Sequence, residues 1–189
     1  MKRLFVYPVL VYTVLVYLML ATFCSATLAE QTNYSGEELR EIKSLSKDRI
    51  EGLLEGKGMG YAKVAELNGY PGPKHVLELA EELDLSEEQL AKTKSNFSKM
   101  NKQARELGQQ LIHAERELET LFNVGSVTEA QVISRLENIV QLEAQLRACH
   151  VNAHLTQKNL LSAHQVQLYN RLRGYSNPSQ HGKHKHHHE

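Results

Sequence analysis

The chain has 189 residues, and its 22 lysines and arginines are balanced by 22 aspartates and glutamates. That length is enough for one ordinary domain beside a targeting segment. The balance lacks the basic surplus that nucleic-acid binding requires, so no nucleic-acid partner is expected.

Met1-Lys2-Arg3 is a short basic start, Leu4 to Cys24 is uncharged and mostly apolar, and Ser25 to Ala29 are mainly small. This order is the plan of a secretory signal peptide over residues 1–29. Cleavage is expected after Ala29, with Ala26 as the alternative. The apolar run is roughly 20 residues, which also suffices to span a bilayer, so a retained inner-membrane anchor is the alternative to cleavage. Phe23 before Cys24 argues against a lipoprotein. The remainder is expected in the periplasm. Loss of residues 1–29 takes away Lys2, Arg3 and no acid, leaving 20 basic against 22 acidic residues.

Residues 30–174 are expected to form a single all-α domain. Ser35-Gly36-Glu37-Glu38 has the pattern of a capping box and predicts a first helix through Leu39, Ile42, Leu45, Ile50 and Leu53, ending near Leu54. The glycines at 56, 58 and 60 break it. They lack phosphate-loop spacing and follow a helix, not a strand, which argues against nucleotide binding. A short helix is expected over Tyr61 to Leu67. Asn68 to Pro73 is dense in turn residues, and Pro73 suits the first position of a further helix carrying Val76, Leu77, Leu79, Ala80 and Leu83.

Leu85-Ser86-Glu87-Glu88-Gln89 contains a second capping box and opens the longest element. Leu90, Thr93, Phe97, Met100, Ala104, Leu107, Leu111, Ala114, Leu118 and Leu121 alternate spacings of three and four, a heptad seam. A helix from Ser86 to Phe122 would be about 55 Å long and must pack along a partner. Asn123 to Ser126 reads as a turn. Ser126 with Glu129, or Thr128 with Gln131, then caps a return helix marked by Ile133, Leu136, Ile139, Leu142, Leu146, Cys149, Ala153 and Leu160. The expected fold is a long antiparallel helical hairpin with short flanking helices. Leu161-Ser162-Ala163-His164-Gln165 repeats the cap pattern and opens a last helix stopped at Gly174. Residues 175–189 are expected to be a disordered histidine-rich tail.

The pentads Leu85-Ser86-Glu87-Glu88-Gln89 and Leu161-Ser162-Ala163-His164-Gln165 resemble the LTxxQ repeats of the Spy/CpxP family, which includes zinc-resistance-associated and heavy-metal-sensing periplasmic proteins. Each pentad has serine where the family usually has threonine, a change that keeps the capping hydroxyl. The resemblance covers about residues 35–175. It implies a cradle-like fold, often dimeric, and a role in envelope stress: ATP-independent binding of unfolded proteins, or sensing and buffering of metals. The block Ala65 to Leu79 also looks like a distinctive stretch of an uncharacterised branch of these proteins.

His150 and His154 are one helical turn apart, so both imidazoles can reach one cation, with Cys149 beside them. Sulfur and imidazole suit zinc or copper. The alternatives are two histidines bonded to a neighbouring helix and a small buried thiol. The tail carries His181, His184, His186, His187 and His188, five of the ten histidines, and such tracts chelate zinc, copper or nickel. No cofactor is required and no catalytic set is visible, so a non-enzymatic protein is expected. Its expected partners are a second copy of the chain and unfolded envelope proteins or a membrane sensor, with membrane contact only if residues 1–29 are retained.

Overall fold

The computed structural model describes residues 34–175. The expected signal segment at 1–29 and the five tail histidines from His181 to His188 lie outside the described residues. Among the described residues the protein is all-helical, with no strand, and no helix is long and apolar enough to cross a membrane.

The chain divides after Arg40. In the first unit the described residues hold one 3-10 turn, Glu37–Leu39. The expected first helix does not begin here. Gly36 stands in the left-handed region at φ 90°, and its N–H is taken by the Glu38 carboxylate at 2.7 Å. Arg40 is extended, which ends the turn. Leu39, expected on an apolar face, is exposed.

The second unit holds α1 (Lys47–Glu55), α2 (Lys63–Glu66), α3 (Pro73–Glu78), α4 (Glu87–Asn123), α5 (Glu129–Leu160) and α6 (Ala163–Leu172). Before α1, carboxylates from α4 engage the chain where a helix was expected. Glu119 takes both the Lys43 backbone N–H, at 3.1 Å, and the Lys43 ammonium, while Glu115 takes the Ser44 hydroxyl at 2.8 Å. A backbone N–H held by a side chain is not available to a helix. The first true cap is Ser46, whose side chain accepts the Arg49 N–H. Pro73 does open α3, but that helix stops at Glu78, and the chain turns through Asp84 at φ 48°.

α4 and α5 pack along each other. Glu117 pairs with Arg135 at 2.9 Å, the Met100 carbonyl accepts from the Cys149 thiol at 3.4 Å, and Thr93 accepts from Gln157 at 3.0 Å. Rising numbers on α4 thus meet falling numbers on α5. Thr93, Met100, Ala104, Leu107, Leu111 and Ala114 of the expected seam are buried, against Ile139, Leu142, Leu146, Cys149 and Ala153. At one end the seam is polar: Gln157 is fully buried, donating to Thr93 and accepting from Asn96. Such a layer restricts register, because a slip would leave a buried amide unpaired.

The core is wider than the heptads predict. Gly108 and Ile112 of α4 are also buried because α1 lies there. The end of α1 is held by side chains of α4: Asn101 donates to the Glu55 carbonyl at 2.9 Å and Arg105 to the Leu54 carbonyl at 3.1 Å. These satisfy carbonyls that a helix end leaves open. A smaller core joins Val76 and Leu83 to Tyr169 of α6.

Only glycine fits at 108. A Cβ there would lie 2.4 Å from the Leu53 carbonyl oxygen, backbone that cannot rotate away. Gly108→Ala is therefore expected to cost about 1–3 kcal/mol through overpacking. Gly58→Ala, which meets nothing within 4 Å, is expected to be neutral or to stabilise by up to about 1 kcal/mol. Urea unfolding of the two variants checks both.

Candidate functional site

The two pentads meet. Each serine hydroxyl accepts the N–H of its own glutamine, and each glutamine side chain accepts the serine N–H, so both are complete capping boxes. The two glutamine side chains then bond to each other reciprocally, at 2.9 and 3.1 Å. Gln89 spends its second N–H on the Leu160 carbonyl at 2.9 Å, and Gln165 on the Leu83 carbonyl at 3.1 Å. Each amide thereby ties its own cap to the residue just before, or two before, the other pentad. The third cap, at the start of α5, is Thr128 with Gln131, the second of the two expected pairs.

Beside this junction Glu66 of α2 organises a buried cluster. Its carboxylate accepts from the Tyr169 hydroxyl, from the Tyr175 hydroxyl at 3.1 Å and from the Gly72 N–H at 3.1 Å. Arg173 stands 3.6 Å away and His154 3.5 Å away. Burial and the Glu66 carboxylate push the Tyr169 hydroxyl far above its ordinary range, so it stays protonated as a donor. The His154 Nδ1 lies 2.7 Å from the Tyr70 carbonyl, which fixes Nδ1 as the protonated nitrogen. Gly72 permits this approach: a Cβ there would sit 2.9 Å from the His154 ring. The block Ala65 to Leu79 therefore supplies the acid, the carbonyl and the close turn of this cluster.

The structure does not gather Cys149, His150 and His154 into one site. Cys149 is buried against α4, and burial pushes its thiol up, which makes it an unreactive core residue. Among the described residues no group of three or more His, Cys, Asp or Glu is arranged to hold a metal ion. His150 is only 4% exposed. It stacks on Tyr61, ring centroids 5.6 Å apart, and its Nε2 has no hydrogen-bond partner. Tyr61 in turn donates to Glu143 at 2.7 Å, and Arg49 donates to Glu143 at 2.8 Å. Burial and the neighbouring His154 push the His150 imidazole down to about 4, so it is neutral at physiological pH.

Glu66, Gly72, His150, His154, Arg173 and Tyr175 all line one cleft of about 540 Å³. Glu66, Arg173 and Tyr175 carry no pattern in the sequence. The nearest signal was the turn chemistry of Asn68 to Pro73, which marks a close approach but not what approaches.

Two predictions follow from these networks. Gln89→Ala and Gln165→Ala should each cost about 1–3 kcal/mol, since each leaves buried partners unpaired. The double variant should cost less than the sum, by about 0.5–3 kcal/mol, because the two amides share bonds. An unfolded histidine titrates near 6.5, whereas folded His150 titrates near 4. Between those values the unfolded chain takes up a proton that the folded chain refuses, so stability is kept above the window and falls as pH drops through it. The loss should approach about 3 kcal/mol, measured as the difference in pH dependence between the chain and His150→Phe.

Comparison of the chain with protein-family models, with curated proteins and with solved structures finds no match.

Proposed function

We propose that the chain is an exported, non-enzymatic protein of the Spy/CpxP kind that binds unfolded envelope proteins without ATP. In this reading residues 1–29 direct export, and the rest works in the periplasm as a cradle-like antiparallel hairpin with short flanking helices. A membrane sensor is the alternative partner to a client. The reading is carried by the uncovered apolar end of the two long helices. Phe122, Val124, Ile133, Leu136 and Val140 are 54, 71, 48, 44 and 65% exposed. Ile133, Leu136 and Val140 fall at i, i+3 and i+7 on α5, one helical face. Single exposed apolar residues are ordinary, but a row of them marks an interface. A second copy covers part of the row by two-fold pairing, and clients take the remainder.

The chain should suppress aggregation of a chemically denatured client at equimolar ratio, and the double variant Leu136→Lys, Val140→Lys should lose that protection with its melting temperature unchanged. No protection by the unaltered chain overturns the reading. Sedimentation under reducing conditions at tens of micromolar should give a dimer that the same variant converts to monomer. A clean monomer of the unaltered chain overturns the pairing.

A second reading, a buffer for zinc, copper or nickel, is favoured by the five histidines at 181, 184, 186, 187 and 188. With no ligand group of three among the described residues, that affinity is assigned to the tail. Deleting residues 181–189 should abolish zinc binding by titration. Binding that survives the deletion returns the site to His150 and His154.

A further inference from the structure

The 540 Å³ cleft lies against the loop from Glu55 to Gly60, with α2, α4, α5 and Arg173 around it. Its size is that of small-molecule sites, a few hundred to a thousand Å³. One wall is apolar, with Phe97, Met100 and Ala153. Four cationic side chains, Lys57, Lys63, Lys74 and Arg173, face two carboxylates, Glu55 and Glu66. Both acids are occupied: Glu55 pairs with Lys57 at 2.7 Å, and Glu66 accepts three hydrogen bonds. Lys74 is also paired, with Glu78 at 3.8 Å, so among the described cationic residues of the lining Lys63 alone has no carboxylate within ion-pair distance.

A second observation points to what enters it. Among the described residues three buried side-chain polar atoms lack a hydrogen-bond partner: His150 Nε2, Arg173 Nε and Asn170 Oδ1. The first two belong to residues lining this cleft. Arg173 Nε is a donor only, and it stands 3.6 Å from Glu66, too far for a bond. Neutral His150 carries one N–H, which a ligand oxygen can hold at Nε2. Buried donors without partners cost stability and call for an explanation. A ligand that supplies acceptor oxygens removes that cost.

We propose that this cleft binds a hydrophobic carboxylate: an apolar body against Phe97, Met100 and Ala153, with its carboxylate taking the N–H groups of His150 and Arg173. The site is separate from the exposed end of the long helices and stands whether or not the chain protects clients. The same chemistry belongs to a small apolar acid and to the C-terminus of a peptide ending in an apolar residue, and the two are told apart by titration.

The full chain is titrated calorimetrically with phenylbutyrate and with acetyl-Leu-Phe, and each is compared with its neutral partner, phenylbutanol and acetyl-Leu-Phe amide. A carboxylate should bind saturably and at least about tenfold more tightly than its neutral partner, the worth of one charge-assisted hydrogen bond. Preference for the dipeptide assigns the site to chain termini, and preference for phenylbutyrate to small acids. Arg173→Gln should erase the advantage of the carboxylate. His150→Phe keeps the stack on Tyr61 and removes the unpaired nitrogen, so it should raise the melting temperature while weakening carboxylate binding. A variant that fails to fold would show itself in the melting curve, and Arg173→Gln then carries the test. Equal binding of acid and neutral partner, or no saturable binding by either acid, overturns the proposal. Zinc binding that His150→Phe abolishes and Arg173→Gln leaves intact overturns it in favour of a metal.

Discussion

The packing of α4 on α5 is the interaction on which the second unit rests, because neither helix has a core without the other. A 37-residue helix exposes apolar side chains along about 55 Å, and among the described residues the only element of comparable length is α5. Smaller helices of the second unit then dock on this pair. α1 lies over Gly108, its last carbonyls bound by Asn101 and Arg105. The segment before α1 is tied to Glu115 and Glu119. α3 and α6 close the polar end, where Gln157 and the two pentads sit. At the opposite end Phe122, Val124, Ile133, Leu136 and Val140 remain exposed.

What the sequence disclosed follows from this. Caps are local chemistry: a hydroxyl, a turn of helix and a glutamine within four residues. Ser86, Thr128 and Ser162 were therefore readable one at a time. The α4 seam was readable because one partner runs along it and leaves a single periodic stripe. α5 was harder, since it is covered from more than one side. Cys149 and His150 are neighbours in sequence, pointing about 100° apart on a helix, yet both are buried: one against Met100, the other against Tyr61. A helix buried on two faces has no single stripe, and the thiol beside the His150–His154 pair is turned into a different environment from the imidazoles. The segment from Ser35 to Ser46 misled for a related reason. Its apolar spacing suits a helix, but beyond Arg40 carboxylates of α4, distant in sequence, took the donors of Lys43 and Ser44.

The cleft was the least legible part, because its members come from five separate stretches and only the fold brings them together. Glu66 is one acid among many in the sequence. In the structure it is the acceptor for Tyr169, Tyr175 and Gly72 at once. A carboxylate so occupied has little left for a ligand, so the unpartnered nitrogens on the cleft are what a ligand would meet. It also holds α2, α6 and the Gly72 turn in fixed relation, so the walls of the cleft are set by a buried polar network more than by apolar packing. Such networks specify geometry strongly when fully satisfied.

The contrast between pentads and cleft separates architecture from binding. Each pentad glutamine has both N–H groups and both oxygen lone pairs in use, the whole capacity of an amide. Nothing remains with which to hold a partner, so the motif most visible in the sequence does structural work. The groups with unspent capacity, His150 Nε2 and Arg173 Nε, lie a short way off and follow no motif. Stability favours the first arrangement and opposes the second, since an unpaired buried donor costs free energy that an apolar residue of the same shape would not. A fold that satisfies every atom of its capping glutamines but leaves two buried nitrogens unpaired on one cleft concentrates its unmet hydrogen bonding there. That is where local rules are expected to yield to function.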